Sequence, residues 1–148
     1  MIAVDTNILV YAFHADFPQH AAAKQALARL IADGEAWGIP SPCNHEFLAT
    51  VTRKRYLSAP ATMDQALGFL RTLQLEYGCF VLDESVRHFE TLERTLRSSG
   101  VSGAKVHDAR VAAICLDHGV QELWTADRDF SYFPWLNTVN PLVPSSAK

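Results

Sequence analysis

Short apolar runs that alternate with helical patterns are the feature that most constrains the fold of this 148-residue chain. The apolar runs are continuous and do not alternate with polar residues, which is typical of strands buried on both faces of a parallel sheet. Four runs are predicted to be strands, with a short fifth near the end: residues 2–4, 37–40, 79–82, 122–125 and 138–140. Strands that alternate with helices predict a three-layer α/β/α sandwich around a mostly parallel sheet of four to five strands.

Six segments between these runs show the spacing of amphipathic helices. They are predicted to cover residues 6–13, 17 to a stop at Gly34, 41–55, 62 to a stop at Gly78, a cap at 83 or 85 to Gly100, and 106–118. Ser41 is the predicted N-cap of the third helix, with Pro42 as its first helical residue. The fourth helix opens on a Thr62–Gln65 capping box. In the fifth, the apolar residues that share one face are Val86, Phe89, Leu92 and Leu96. Residues 101–105 are predicted to form a flexible loop.

Composition narrows the classes of protein that this sequence can encode. Hydrophobic residues make up 49% of the chain, which is enough for a packed core and argues against disorder. The length predicts one domain over residues 1–148, with a flexible tail at about 142–148. The net charge of −3 provides no basic surface of the kind that dominates DNA-binding modules. A nuclease is still possible, because bound metal ions reverse the local charge of an acidic site.

The cysteines and the apolar segments indicate in which cellular compartment the protein is expected. Cys43, Cys79 and Cys115 lie far apart without a CxxC motif, so we expect neither a zinc site nor a disulfide framework. Reduced thiols fit a cytoplasmic protein. The apolar stretch at residues 8–13 is too short to span a membrane, and no signal peptide or anchor is recognised.

Four acidic residues lie where a strand or loop gives way to a helix: Asp5, Glu46, Asp108 and Asp127. Ligands of parallel sheets bind at the carboxyl ends of the strands, so these side chains are predicted to face one edge of the sheet. Carboxylate oxygens are the ligands that Mg²⁺ prefers in proteins. Two carboxylates about 4 Å apart repel by roughly 4 kcal/mol at an effective dielectric constant of 20. If the cluster forms, cation binding is therefore its natural explanation.

Each acidic residue also has a simpler interpretation. Asp5 can cap the helix that follows it, and Glu46 can be a solvated residue on a helix surface. Asp108 can be a first-turn residue that the helix dipole favours. Asp127 and Asp129 can form an Asx-type turn, which for Asp129 is the favoured interpretation. A metal site is the favoured hypothesis, because the alternative requires four separate simple explanations for four acidic residues at one end of the sheet.

Several neighbours are candidate supporting residues. Thr6, Asn7 and Thr125 can bind a metal-held water or orient a carboxylate, and capping explains them nearly as well. His107 can carry a proton, although a surface or cap position is the simpler interpretation. Basic side chains can contact phosphates, or they can simply be solvated: Arg53, Lys54, Arg55, Arg110 and Arg128.

Together these segments resemble the PIN domain and, within it, the VapC-type toxins of bacterial toxin–antitoxin pairs. The segments that carry the resemblance are VDTNILVYAF, IPSPCNHEFLATVTRKRYL, VHDARVAAI, LWTADRDFSYFP and VNPL. The resemblance implies a PIN-like fold and a Mg²⁺- or Mn²⁺-dependent endoribonuclease that hydrolyses RNA with metal-activated water. It also implies roles by motif, with an acidic quartet formed by Asp5, Glu46, Asp108 and Asp127. The implied supporting residues are Thr6, Asn7, Thr125 and Asp129, the last of which assists or substitutes for Asp127.

The resemblance also implies partners. Relatives pair with a small antitoxin that blocks the site, and they tend to form homodimers. One departure from the family pattern is Ser41-Pro42-Cys43, where relatives often carry a bulkier apolar residue. One alternative function is a PIN-fold binding module that regulates its operon with an antitoxin and catalyses little. Another is a phosphatase, which ranks low because such enzymes commonly need an Asp at the position of Asn7.

Overall fold

The computed structural model describes residues 1–54 and 58–144. Its strands form one five-stranded sheet in the order β3-β2-β1-β4-β5, and each neighbouring pair runs parallel. The strands are β1 (Ile2–Val4), β2 (Trp37–Pro40), β3 (Phe80–Leu82), β4 (Glu122–Trp124) and β5 (Thr138–Val139). The predicted parallel sheet is confirmed, and each strand lies within one residue of its predicted bounds.

Helices flank the sheet and complete the predicted α/β/α sandwich. They are α1 (Thr6–Phe13), α2 (His20–Asp33), α3 (Ser41–Val51), α4 (Met63–Leu75), α5 (His88–Ser99), α6 (Lys105–Asp117) and a 3₁₀ helix (Arg128–Tyr132). Helix α1 contacts α2 and α3, α3 contacts α4, and α5 contacts α6. No helix within the described ranges is long and apolar enough to cross a membrane.

Strand β1 lies at the centre of the sheet, between β2 and β4. All three of its residues are buried, as expected for a continuous apolar run in a parallel sheet. In the register of the sheet, Ala3 lies beside Gly38 on one side and Leu123 on the other. A Cβ atom at Gly38 would lie 2.8 Å from the carbonyl oxygen of Phe80, so only glycine fits there. The chain leaves β1 in the middle of the carboxyl edge.

The predicted starts of α2, α3 and α5 differ from the structure by one to a few residues. Helix α2 begins at His20 because a turn precedes it, in which the His20 N–H donates to the Phe17 carbonyl at 3.0 Å. Ser41 is the first residue of α3, whose N-cap is Pro40 and has no side-chain hydrogen bond. Helix α5 has Arg87 as its N-cap, because the residue 85 carbonyl instead accepts a turn hydrogen bond from the residue 88 N–H.

Two further predictions concern segment ends. The Thr62–Gln65 capping box is present at the start of α4, with both reciprocal hydrogen bonds. Helix α3 ends at Val51, before the basic residues predicted to close it, and Arg55 lies outside the described residues. Residues 145–148 of the predicted tail also lie outside them.

The predicted apolar face of α5 is only partly buried. Leu92 and Leu96 pack against the core, but Phe89 is 79% exposed, and Val86 precedes the helix and is fully exposed. The fully buried residues of this helix are instead polar: His88, Thr91 and Thr95. Helix α5 packs against α6, and the Thr91 hydroxyl donates to Asp117, the last residue of α6, at 2.7 Å.

Candidate active site

Asp5 is a buried carboxylate held by four donors. It follows β1 as the N-cap of α1, and its side chain is only 6% exposed. Oδ1 accepts from the Thr6 N–H at 2.7 Å and from the Cys43 thiol at 3.5 Å. Oδ2 accepts from the Thr125 hydroxyl at 2.7 Å and from the Asn7 amide at 3.0 Å. The capping interpretation of Asp5 is therefore correct, and the same contacts fix its carboxylate in place.

Hydrogen bonds of Asn7 and Thr125 join the end of β4 to the start of α1. The Asn7 side-chain oxygen accepts from the Ala126 N–H at 3.0 Å, and its amide also donates to the Thr125 hydroxyl at 3.2 Å. The Asp127 N–H donates to the same hydroxyl oxygen at 3.0 Å. These hydrogen bonds hold the segment that contains Asp127 against the carboxyl edge of the sheet, where Asp5 lies.

Glu46 approaches from α3. Its Oε2 accepts from the Thr6 hydroxyl at 3.0 Å, so Thr6 contacts two of the predicted acidic residues. Burial raises the pKa of Asp5 above its ordinary value of 3.8, against the effect of its hydrogen-bond donors. The negative charge of Glu46 adds to the increase. The two carboxylates therefore repel each other at this edge.

Asp108 lies in the first turn of α6 and is partly buried, with 27% of its side chain exposed. Burial is the largest cause that raises its pKa, and Lys105 opposes it. The charges of Asp127, Asp129 and Asp5 raise it further. Asp108 therefore interacts electrostatically with the carboxylates at the end of β1 and at the start of the 3₁₀ helix.

One cleft of about 680 Å³ collects the predicted quartet. Its lining includes the four acidic residues, two supporting residues and His107: Asp5, Thr6, Asn7, Glu46, His107, Asp108 and Asp127. Arg110 also lines the cleft, and its guanidinium pairs with Glu84. The other candidate phosphate contacts within the described residues, Arg53, Lys54 and Arg128, are absent from this lining.

Asp129 has a different environment from Asp127. Its N–H donates to the Asp127 side chain at 2.8 Å, so the Asx-type turn is present. Its carboxylate pairs with the ammonium group of Lys105, a hydrogen bond that raises the Lys105 pKa. The same ammonium lies 3.9 Å from Asp108 Oδ2 and 5.5 Å from the centre of the Tyr132 ring.

Sequence reasoning missed Lys105 and Cys43. Lys105 was placed in a flexible loop, although it is the first residue of α6. Its i, i+3 spacing to Asp108 was the available signal. No local pattern in the sequence indicates that the buried Cys43 thiol contacts Asp5 across 38 residues.

The site has the negative electrostatic character of a cation site, but its carboxylates are not already arranged around a common point. Asp5 and Asp108 both have raised pKa values, which shows that nearby positive charge does not offset their burial and mutual repulsion. A divalent cation held by these oxygens would supply that charge. Within the described residues, no three His, Cys, Asp or Glu side chains already surround a common point as metal ligands.

Comparisons with known proteins agree with this architecture. The family model of the PIN domain matches residues 2–136. VapC ribonuclease Mb2897 of Mycobacterium bovis is 31% identical over 142 residues, which is 96% of each chain. VapBC2 from Rickettsia felis, solved with a promoter DNA fragment, has a TM-score of 0.65 at 20% identity and covers 94% of this chain and 98% of its own. VapC20 of Mycobacterium tuberculosis, a toxin that cleaves the Sarcin-Ricin loop, has a TM-score of 0.63 at 20% identity and covers 88% and 93%.

Proposed function

The chain belongs to the PIN domain family, and from that premise we propose that it is an endoribonuclease, the toxin of a toxin–antitoxin pair. The observation that carries the proposal is the buried Asp5 carboxylate, fixed by four donors in a cleft that Glu46, Asp108 and Asp127 also line. Burying an acidic group among other acids opposes stability, so its use lies in binding and catalysis. Relatives named as VapC ribonucleases support the same reaction class.

We propose that Asp5 and Asp108 are the central ligands of Mg²⁺ or Mn²⁺, and that Glu46 and Asp127 complete the set. The ion supplies Lewis-acid chemistry, by which water is activated and the departing oxygen of the phosphodiester is stabilised. Thr125 holds the Asp5 carboxylate in one orientation through its 2.7 Å hydrogen bond. Such outer contacts keep ligand atoms in position and typically contribute 10–100-fold to affinity or activity.

The rest of the cleft suits single-stranded RNA. Tyr11, Phe17 and His45 line it beside the acidic residues. Aromatic and histidine rings stack on unpaired bases without requiring one sequence. Hydrolysis then takes place where the RNA backbone passes the carboxylates.

We further propose a protein partner and a second copy of the chain. The described residues expose large apolar side chains that a free protein would leave in water, including Leu75 at 78%, Phe80 at 55% and Phe89 at 79%. Apolar surface marks protein interaction sites where it forms contiguous patches. A cognate antitoxin and a homodimer would cover it. One domain over residues 1–148, located in the cytoplasm, completes the proposal.

The experiment that tests the enzyme is cleavage of total cellular RNA by purified protein freed of antitoxin. Reactions contain Mg²⁺, Mn²⁺ or EDTA, and they compare the wild type with Asp5→Asn. We expect discrete fragments that require metal and disappear in Asp5→Asn. Asp33→Asn is the matched control, because it makes the same chemical change at an exposed site at the end of α2.

Two outcomes contradict the proposal. Unchanged cleavage by folded Asp5→Asn would remove Asp5 from the reaction. No cleavage by antitoxin-free wild type under any condition would favour the alternative, a PIN-fold binding module whose main role is operon regulation with its antitoxin.

A further inference from the structure

The ammonium group of Lys105 lies next to the acidic cleft, close to its lining residue Asp108. It pairs with Asp129 and lies 3.9 Å from Asp108 Oδ2. The ring of Tyr132 adds a cation–π contact at 5.5 Å. These partners come from two elements, α6 and the 3₁₀ helix after β4, so they fix the position of the charge from both sides.

We propose that Lys105 is a positioning residue that provides the second positive charge of the site, so that the chain binds a single divalent ion where related chemistry uses two. The inference rests on the proposed function in one respect, namely that the acidic cleft binds divalent metal. Two-metal nucleases hold a pair of ions about 4 Å apart between shared carboxylates. Here the ammonium group of Lys105 already offsets part of the negative charge of Asp108, a proposed central ligand.

Charge and chemistry both favour this role for Lys105. An ammonium group is a compact point charge that binds carboxylate and phosphate oxygens. Its ion pair with Asp129 and its position 3.9 Å from Asp108 Oδ2 place positive charge beside the carboxylates that a second ion would need. A single ion would then bind on the Asp5 side of the cleft. The described hydrogen bonds to Asp5 and Glu46 come from hydroxyl, amide, thiol and backbone donors, and none of these donors is a cation.

The test is the number of Mn²⁺ ions bound per chain, measured by titration calorimetry and by electron paramagnetic resonance. Lys105→Met removes the charge but keeps an unbranched apolar stem. Lys24→Met on the exposed surface of α2 makes the same change in net charge away from the site. We expect a single ion in the wild type and in Lys24→Met, and a second ion in Lys105→Met. Lys105→Arg keeps the charge and should bind as the wild type does.

A wild type that binds a pair of ions overturns the proposal, as does a folded Lys105→Met that gains none. Lys105→Gln provides a second neutral variant in case Lys105→Met folds poorly. RNA cleavage by the same preparations separates this inference from the proposed function. Metal-dependent cleavage without an added ion in Lys105→Met overturns only the role of Lys105. An added ion in Lys105→Met, with no cleavage by the wild type, overturns only the ribonuclease.

Discussion

The two ends of helix α6 each carry an aspartate, and the two carboxylates are perturbed in opposite directions. Asp108 lies in the first turn, where the helix dipole favours negative charge, and Asp117 is the last residue, where the dipole opposes it. The dipole alone would lower the pKa of Asp108 and raise that of Asp117. The structure has the reverse, since the pKa of Asp108 is raised and that of Asp117 is lowered.

Near neighbours explain the reversal at Asp117. Burial alone would raise its pKa, but the Thr91 and Ser85 hydroxyls each donate to the carboxylate at 2.7 Å. Electrostatic interactions with His88 and His118 lower the pKa of Asp117 further. Hydrogen bonds to a charged acceptor outweigh the screened field of a helix end. This end of α6 stabilises the fold.

The Asp108 end has the opposite balance. Burial raises its pKa, and three other carboxylates add to that effect against the single opposing charge of Lys105. Helix α6 therefore joins a region where negative charge is compensated to one where Lys105 compensates it only in part. The partly compensated end lines the cleft, which is the usual arrangement at a functional site.

The largest expected difference between the two ends is in RNA cleavage. Asp108→Asn should lower the rate by more than the roughly 10–100-fold that loss of an outer contact costs, because a proposed metal ligand is removed. Asp117→Asn should stay within a few-fold of the wild type. Initial rates on one RNA substrate under saturating Mg²⁺ measure both. Equal losses in the two variants would show that α6 acts only as a scaffold.

The next effect is on stability, where the order of the two ends reverses. Asp117→Ala should lower the free energy of unfolding by about 1–3 kcal/mol, because the Thr91 hydroxyl, 1% exposed, loses its acceptor. Metal-free Asp108→Asn should be as stable as the wild type or more so. Urea denaturation of metal-free protein compares them.

A double variant sharpens this result. Adding Thr91→Val to Asp117→Ala removes both members of the Thr91–Asp117 hydrogen bond, and it should recover part of the lost stability. A double variant that loses as much as the sum of the single variants would show that the hydrogen bond is not the source of the effect.

The smallest expected effect is a pH dependence of opposite sign at the two ends. The raised pKa of Asp108 means that the folded state binds more protons, so stability falls as pH rises from 3.8 through the raised value. The lowered pKa of Asp117 contributes stability above 3.8, which is lost as pH falls through the lowered value. Thermal unfolding without metal, from acid to neutral pH, measures both.

Two matched variants isolate each contribution. The melting temperature of Asp108→Asn relative to the wild type should rise as pH increases from 3.8 through the raised pKa of Asp108. The relative melting temperature of Asp117→Asn should fall as pH increases from the lowered pKa of Asp117 to 3.8. Parallel curves for wild type and Asp108→Asn would contradict the electrostatic account of the cleft.

The sequence predicted much of this molecule because the signals involved are local. Continuous apolar runs gave the strands, and the Thr62–Gln65 box gave the start of α4. The positions of Asp5 and Asp108 beside element ends were enough to predict that they meet. Capping and site formation turned out to be compatible, since Asp5 both caps α1 and lines the cleft.

The remaining features depend on contacts between distant residues. Thr91, on the buried polar side of α5, donates a hydrogen bond to Asp117, which lies 26 residues later in the sequence. No pattern within the helix indicates this contact. Lys105 lies at the end of the predicted flexible loop at residues 101–105, but it is the first residue of α6. Its ion pair with Asp129 forms only when the segment after β4 packs on α6.

The 120-residue separation between Asp5 and Thr125 also has a consequence for biosynthesis. Asp5, which follows the first strand, is oriented by a hydroxyl that is translated 120 residues later. Pairing between β1 and β4 must wait for the same later segment. A nascent chain therefore has no assembled cleft until β4 and Thr125 have left the ribosome.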